Sequence, residues 1–338
     1  MSNYPRVADP AFRKAAIDLL TEMIRIYSPS GKEIVLSNYL SEKMSELGIR
    51  NVVVDEMNNV IGEVGSGEPR ILLCGHMDTV PDRQPVKVQE NIICGRGACD
   101  AKGALAAQIM AASTLRDIDF QGKIIVAAVT DEEGGGKGIK RILQDLEVDY
   151  AIFGEPSGID KITIGYKGRV AMKITCLTQS VHASAPWMSE NSVEKILQVW
   201  EAIKEYAQTN DFGEKNHYGS VTACLTKIRA GLADNVSPGK CELVADLRVP
   251  LKIGNQKILA DLEDIINKFK NDRAFPKLSM SLLDNTEPFE ADPSSPLVRA
   301  MVRSSLEMRG KRPLLLHKTG TGDMNMLGKK LHIPVVTY

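Results

Sequence analysis

The sequence predicts an α/β fold: a mostly parallel sheet with helices on both faces, interrupted by an inserted ferredoxin-like α+β unit. Three observations carry this. Short apolar runs alternate with helical patterns as far as Phe153, which is how strands buried on both faces read. After about Gly165 the order becomes β-α-β-β-α-β. From Pro296 the helix–strand alternation returns. At 338 residues the chain exceeds one ordinary core. The expected division is a discontinuous domain of 1–165 and 285–338, with 166–284 inserted.

The elements follow in order. Residues 9–27 carry apolar side chains at helical spacing. A second helix is expected from near Ser30, where Glu33 three residues on completes a capping-box pattern. Asn51–Val54 and Ile71–Cys74 read as strands, Gly103–Leu115 as an Ala-rich helix, and Lys123–Thr130 as a buried strand. Gly138–Leu146 is the next helix and Tyr150–Phe153 the next strand. In the inserted unit, Arg169–Leu177, Ser220–Ile228, Lys240–Val249 and Leu278–Leu283 are strand-like. Asn191–Ala207 and Gln256–Lys268 are helical.

Composition removes several functions. A net charge of −1 gives no electrostatic case for nucleic acid or an anionic membrane surface. The start, MSNYPRVADP, lacks a signal peptide's apolar run, and no stretch nears the ~20 apolar residues of a membrane helix. Six cysteines without a CxxC pair imply free thiols and a reducing cytoplasm. Cys99 is expected to be a small buried hydrophobe.

The chemistry-bearing residues gather after predicted strands, where open α/β sheets build their sites. ILLCGHMDTVP delivers His76 and Asp78, VAAVTDEEGGG delivers Glu132 and Glu133, and YAIFGEPSG delivers Glu155. ICGRGACDAKG sets Asp100 on a Gly-flanked turn before a helix. Each has a bland reading. A lone His-x-Asp is usually a loop histidine, Asp100 a helix N-cap, the Glu pair a solvated loop, and Glu155 a turn carboxylate. Four junctions each offering hard oxygen or nitrogen ligands are much less common by chance. The mixture suits Zn²⁺, Co²⁺ or Mn²⁺.

GHMDTVP, GRGACDAKGALAA, TDEEGGGKG and GEPSG resemble, in order and spacing, the metal-site motifs of the dizinc amidohydrolase and metallopeptidase family of acetylornithine deacetylase, succinyl-diaminopimelate desuccinylase and carboxypeptidase G. The resemblance spans nearly the whole chain. It implies two zinc ions, with cobalt an alternative. His76 and Glu155 would hold one ion and Glu133 the other. Asp100 would bridge both, and its bond to Ala101 is expected to be cis. Asp78 would orient His76, and Glu132 would be the general base that moves the water proton to the leaving amine.

The inserted unit resembles the family's lid and dimerisation domain, implying a homodimer. His182 in SVHASAP would donate to the oxyanion, with Asn235 nearby and Arg248 gripping a substrate carboxylate. Without the resemblance these read as a loop histidine and an exposed strand arginine. GYKGRV, GEPSG and KTGTGDMN are similar to the family's branch that frees lysine or ornithine from an amino-group carrier protein, in lysine and arginine biosynthesis. A basic product needs a carboxylate, for which Asp323 and Asp234 are candidates.

The family completes the Glu133 ion with a later histidine. His317 and His332 lie upstream of that position, so either the chain is truncated relative to its natural product or the second site is incomplete, and one ion is expected to bind well and the other weakly. Two alternatives stand beside the carrier-protein reading. One is an acetylornithine deacetylase, aminoacylase or dipeptidase. The other is a non-catalytic metal or ligand binder, against which Glu132 argues because a binder needs no free base.

Overall fold

A computed structural model describes residues 9–90, 92–210, 217–272 and 277–338. In chain order the elements are α1 (Pro10–Arg25), α2 (Ile34–Glu46), β1 (Arg50–Val54), β2 (Val60–His76), β3 (Lys87–Gln89), β4 (Ile92–Cys94), α3 (Lys102–Ser113), β5 (Gln121–Val129), α4 (Lys137–Ile142), β6 (Tyr150–Phe153) and β7 (Lys161–Tyr166). Next come β8 (Gly168–Leu177), α5 (Ser192–Thr209), β9 (Thr222–Ala230), β10 (Lys240–Val249), α6 (Asn255–Lys270) and β11 (Lys277–Thr286). The chain continues through β12 (Phe289–Glu290), α7 (Pro296–Arg309), β13 (Leu314–Lys318), α8 (Asp323–Leu331) and β14 (Val335–Thr337). Two units result. The first is Met1–Ile164, Ala291–Leu316 and Gly322–Tyr338; the second is Gly165–Glu290 with His317–Thr321.

The first unit is built on a mainly parallel sheet. Strand β5 lies between the two halves of β2. Val60–Ser66 pairs with Ala128–Gly122 along one edge, and Arg70–His76 pairs in parallel with Lys123–Val129 along the other. Strand β6 then runs parallel to β2, and β14 parallel to β6. The apolar runs Ile71–Cys74, Lys123–Thr130 and Tyr150–Phe153 therefore lie side by side, as continuous hydrophobicity demands of strands covered on both faces. Leu19 and Met23 of α1, Leu36, Leu40 and Met44 of α2, and Leu105 and Ile109 of α3 bury against Val60, Val64 and Val126.

Local chemistry sets the helix ends. Asp9 accepts from the Ala11 amide at 2.9 Å with Pro10 at the first helical position, so α1 begins where expected. The capping box expected at Ser30 and Glu33 does not form. Helix α2 begins at Ile34 without a side-chain cap, because both side chains are engaged elsewhere. Asp100 is likewise no cap, since Ala101 holds that position.

The second unit has an antiparallel sheet in the order β11-β8-β10-β9. With α5 between β8 and β9 and α6 between β10 and β11, this is the ferredoxin-like arrangement. Ile196, Val199, Ile203 and Ala207 line one stripe of α5, and Ile258, Leu262 and Ile266 one stripe of α6. Both stripes share a core with Cys241, Leu243, Ala245, Leu247 and Val249, the alternate residues of β10. Two helical stripes and one sheet face thus close a second core.

Lys167, just before β8, is fully buried and donates to the carbonyls of His217 (3.0 Å) and Ser220. Burial, with repulsion from Arg248, pulls its pKa from 10.5 to about 8. Between those values the unfolded chain holds the proton that the folded chain has released, so stability rises with pH across that window. Wild type should therefore gain stability relative to Lys167→Met from pH 8 to 10.5, as read from urea unfolding. A pH-independent difference would contradict the assignment.

Candidate metal centre and active site

Parallel register builds the site. His76 lies opposite Val129 and Cys74 opposite Phe153, so the carboxyl ends of β2, β5 and β6 finish together. The residues just beyond those ends converge. His76 closes β2, Glu132 and Glu133 sit on the turn after β5, and Glu155 follows β6. Asp100 comes from the loop before α3, through a cis Asp100–Ala101 peptide.

Three side chains form a compact set. His76 Nε2 is 3.2 Å from Asp100 Oδ1 and 3.8 Å from Glu155 Oε1. One ligand atom from each of the three lies within 4.8 Å of the others. The His76 ring is buried, and its Nδ1 sits 3.0 Å from the Asp78 carbonyl oxygen and 3.5 Å from Asp78 Oδ1. With only acceptors there, Nδ1 carries a hydrogen, so Nε2 is the nitrogen that faces the two carboxylates and would give up its proton to meet an ion.

The charge around this set is lopsided. Asp78, Asp100, Glu132, Glu133, Glu155 and Asp323 surround one imidazole. Burial opposes the charged form of His76, yet the Asp100 and Asp78 contacts hold its pKa well above the ordinary value. Burial lifts Glu132 to about 7, and the like charges of Glu133, Asp78 and Asp100 add to this while His76 opposes it. Glu133 is raised by burial and then by Asp100. Asp323 is 2% exposed at the start of α8, and burial and then Glu132 push its pKa well up. Its Oδ2 is buried without a hydrogen-bond partner. So much negative charge around one imidazole, with Arg96 acting on Glu133 and Lys102 on Asp78, calls for a bound cation. One imidazole nitrogen with two carboxylates fits a divalent ion such as zinc, cobalt or manganese. Among the described residues this is the one group of three such donors.

Asp78 does more than face His76. Its carboxylate is fully buried and accepts from Ser30 Oγ (2.6 Å), the Glu132 amide (3.1 Å) and the Glu133 amide (3.1 Å). Glu33 accepts from the Asp131 amide at 3.1 Å. Sequence reasoning missed both Ser30 and Glu33 here, because their spacing also fits a capping box. The thiol of Cys99 is exposed, contrary to expectation, since it lies on the loop before α3 and not in the core.

The second unit brings other predicted residues together. His182 bridges Val236, and the Ala183 amide donates to the Asn235 carbonyl at 2.8 Å, so His182 and Asn235 sit on paired segments. The Ser184 amide donates to His182 Nδ1 at 3.2 Å, which leaves the hydrogen on Nε2 of this exposed residue. Arg248 donates to Asp246 Oδ1 (2.8 Å) and Thr321 Oγ1 (3.2 Å), and Asp246 also accepts from Arg169 at 2.7 Å. Asp234 is exposed. His317 meets Glu290 at 2.9 Å, and His332 ends α8.

An α/β unit with hard donors at its strand ends, carrying an inserted ferredoxin-like unit, is the build of a metallohydrolase. The profile of Peptidase family M20/M25/M40 matches residues 72–338, and the chain belongs to that family, whose reaction is amide-bond hydrolysis. The [LysW]-lysine/[LysW]-ornithine hydrolase of Saccharolobus islandicus is 31% identical over 327 residues, spanning 96% of this chain and 87% of that one. A Thermococcus kodakarensis protein carrying the same name as a provisional assignment is 34% identical over 322 residues, with 95% and 82% coverage. Among solved structures, a Staphylococcus aureus tripeptidase superposes with a TM-score of 0.80 at 19% identity, covering 96% of this chain and 89% of that one. An M20 family metallo-carboxypeptidase from Sulfolobus solfataricus gives 0.78 at 19%, with 95% and 90% coverage. Among the described residues, no helix is long and apolar enough to cross a membrane.

Proposed function

We propose that the chain is a cytoplasmic, zinc-dependent hydrolase that frees lysine or ornithine from an amide conjugate with an amino-group carrier protein. The observation that carries this reading is the combination of the His76–Asp100–Glu155 set with relatives of that name aligned along nearly the whole chain. A divalent ion at that set would act as a Lewis acid, activating water and polarising the amide carbonyl.

The chain's own groups do the rest. Glu132 is the base: its carboxylate titrates near neutrality, so it can take a proton from water and give it to the departing amine. Asp78 keeps His76 in the tautomer that presents Nε2. His182 offers an Nε2–H to the developing oxyanion, with Asn235 beside it. Arg248, steadied by Asp246 and Thr321, receives a substrate carboxylate. Asp323 is too enclosed to meet a substrate ammonium readily, which favours a part in setting the charge around Glu132.

A second ion would draw on Asp100 and Glu133. A homodimer is supported by the exposed apolar side chains near the His182 and Asn235 segments: Trp187 is 81%, Met188 69% and Leu232 98% exposed. Light scattering at micromolar concentration tests this, and a monomer would remove it.

Hydrolysis of γ-glutamyl-lysine, γ-glutamyl-ornithine and Nα-acetylornithine, after chelation and then with zinc or cobalt restored, tests the substrate. Metal-restored cleavage of the glutamyl conjugates is expected. Faster cleavage of Nα-acetylornithine would instead favour a deacetylase.

A further inference from the structure

The 28–33 loop is tied to both strand ends that carry the site. Ser28 Oγ donates to the Met77 carbonyl at 2.8 Å, and the Thr79 amide donates back to the Ser28 carbonyl at 3.0 Å. Between these contacts Ser30 Oγ reaches Asp78 Oδ2 at 2.6 Å. The same Asp78 carboxylate holds the amides of Glu132 and Glu133. Three residues on, Glu33 is buried, and its Oε1 accepts from the Gly31 amide (2.9 Å) and the Asp131 amide (3.1 Å).

The turn held this way needs holding. Asp131 has φ +60°, in the left-handed region that side-chain-bearing residues rarely adopt. Its carbonyl accepts from the Gly135 (3.0 Å) and Gly136 (2.6 Å) amides, so the turn doubles back sharply. A Cβ on Gly134 would come within 3.3 Å of Ser30 Cβ, so the loop lies directly against the turn. Three amides in a row, those of 131, 132 and 133, are thus fixed by two carboxylates, and the 28–33 loop governs both. The hydroxyl of Ser30 orients one carboxylate, and Glu33 supplies the other.

We propose that Ser30 and Glu33 are positioning residues: through Asp78 and the Asp131 amide they fix the backbone of the 131–133 turn, and so the direction in which Glu132 presents its carboxylate. This rests on the reading of Glu132 as the base. Neither residue belongs to the metal set, and neither touches the reacting atoms. Loss of the Ser30 hydroxyl should therefore lower kcat and spare both KM and the ion.

The test is Ser30→Ala in the zinc-loaded protein, with Ser30→Thr as the variant that keeps the hydroxyl. Three readouts are taken: kcat and KM on γ-glutamyl-lysine, zinc content, and amide hydrogen exchange of the segment containing 131–133. The expected result for Ser30→Ala is a kcat about tenfold lower, unchanged KM and zinc content, and faster exchange at 131–133. Ser30→Thr should recover most of the rate. Wild-type kcat or unaltered exchange in Ser30→Ala would overturn the proposal, as would a loss explained by departed zinc. Glu132→Gln run in parallel separates the two readings. A dead Glu132→Gln with a wild-type Ser30→Ala sinks the positioning role alone. An active Glu132→Gln with a slowed Ser30→Ala sinks the base. If γ-glutamyl-lysine is not cleaved at all, hydrogen exchange and zinc content still decide whether Ser30 fixes the turn.

Discussion

Glu132→Gln is expected to lower turnover by roughly 10²–10⁴-fold, the usual contribution of a positioned general base, while zinc content and thermal stability stay at wild-type values. The substitution keeps the shape of the side chain and removes only its ability to carry a proton. Glu132 is the group whose surroundings suit that task. Burial and neighbouring carboxylates raise its affinity for a proton to the neutral range. Its backbone is anchored by Asp78, so an uncharged amide can occupy the same position. Stopped turnover with retained zinc would separate proton transfer from ion binding. A rate within about twofold of wild type would withdraw the assignment, since a base cannot be dispensable.

The second large effect is expected from His76→Ala. It deletes the one nitrogen donor and leaves Asp100 and Glu155 as two carboxylates facing each other. Zinc should be lost from the purified protein, and activity should fall to the level reached by chelation. Stability supplies an independent readout. A ligand that binds only the folded state stabilises it by about 2.7 kcal/mol at a hundredfold excess over Kd. Added zinc should therefore raise the melting temperature of chelated wild type and leave that of His76→Ala unmoved. An equal rise in both proteins would mean that the ion is held elsewhere.

Much of this arrangement is legible in the sequence, for identifiable reasons. His76, Glu132 and Glu155 each follow a short apolar run of the kind that suits an interior strand, and the ends of parallel interior strands gather. The ferredoxin-like unit is legible because alternation and helical spacing switch cleanly between Arg169 and Leu283. The first half of β2 is not. Val60–Ser66, interrupted by Gly62 and Gly65, is not among the expected strands, and its pairing with β5 makes it one. Ser30 and Glu33 mislead for a different reason. Spacing reports which partners are close along the chain, and both side chains chose partners 48 and 98 residues away. The pairing of the His182 and Asn235 segments is equally non-local, and no periodicity encodes it.

The clasp of β5 within β2 has a consequence for how the molecule meets other chains. A strand with an open side offers a ladder of unpaired amides and carbonyls to any extended peptide, and this is how sheets recruit foreign strands. The strand leading into the 131–133 turn has no such side, because both of its ladders are taken by one continuous neighbour. On this flank of the sheet the open margin falls to β1. There, Asn51 turns to φ +51° and the pairing slips between Arg50 and Val53. A short, kinked border of this kind is a poor template for strand addition. The strand that leads into the turn of Glu132 and Glu133 is thereby kept out of reach of intermolecular β-pairing.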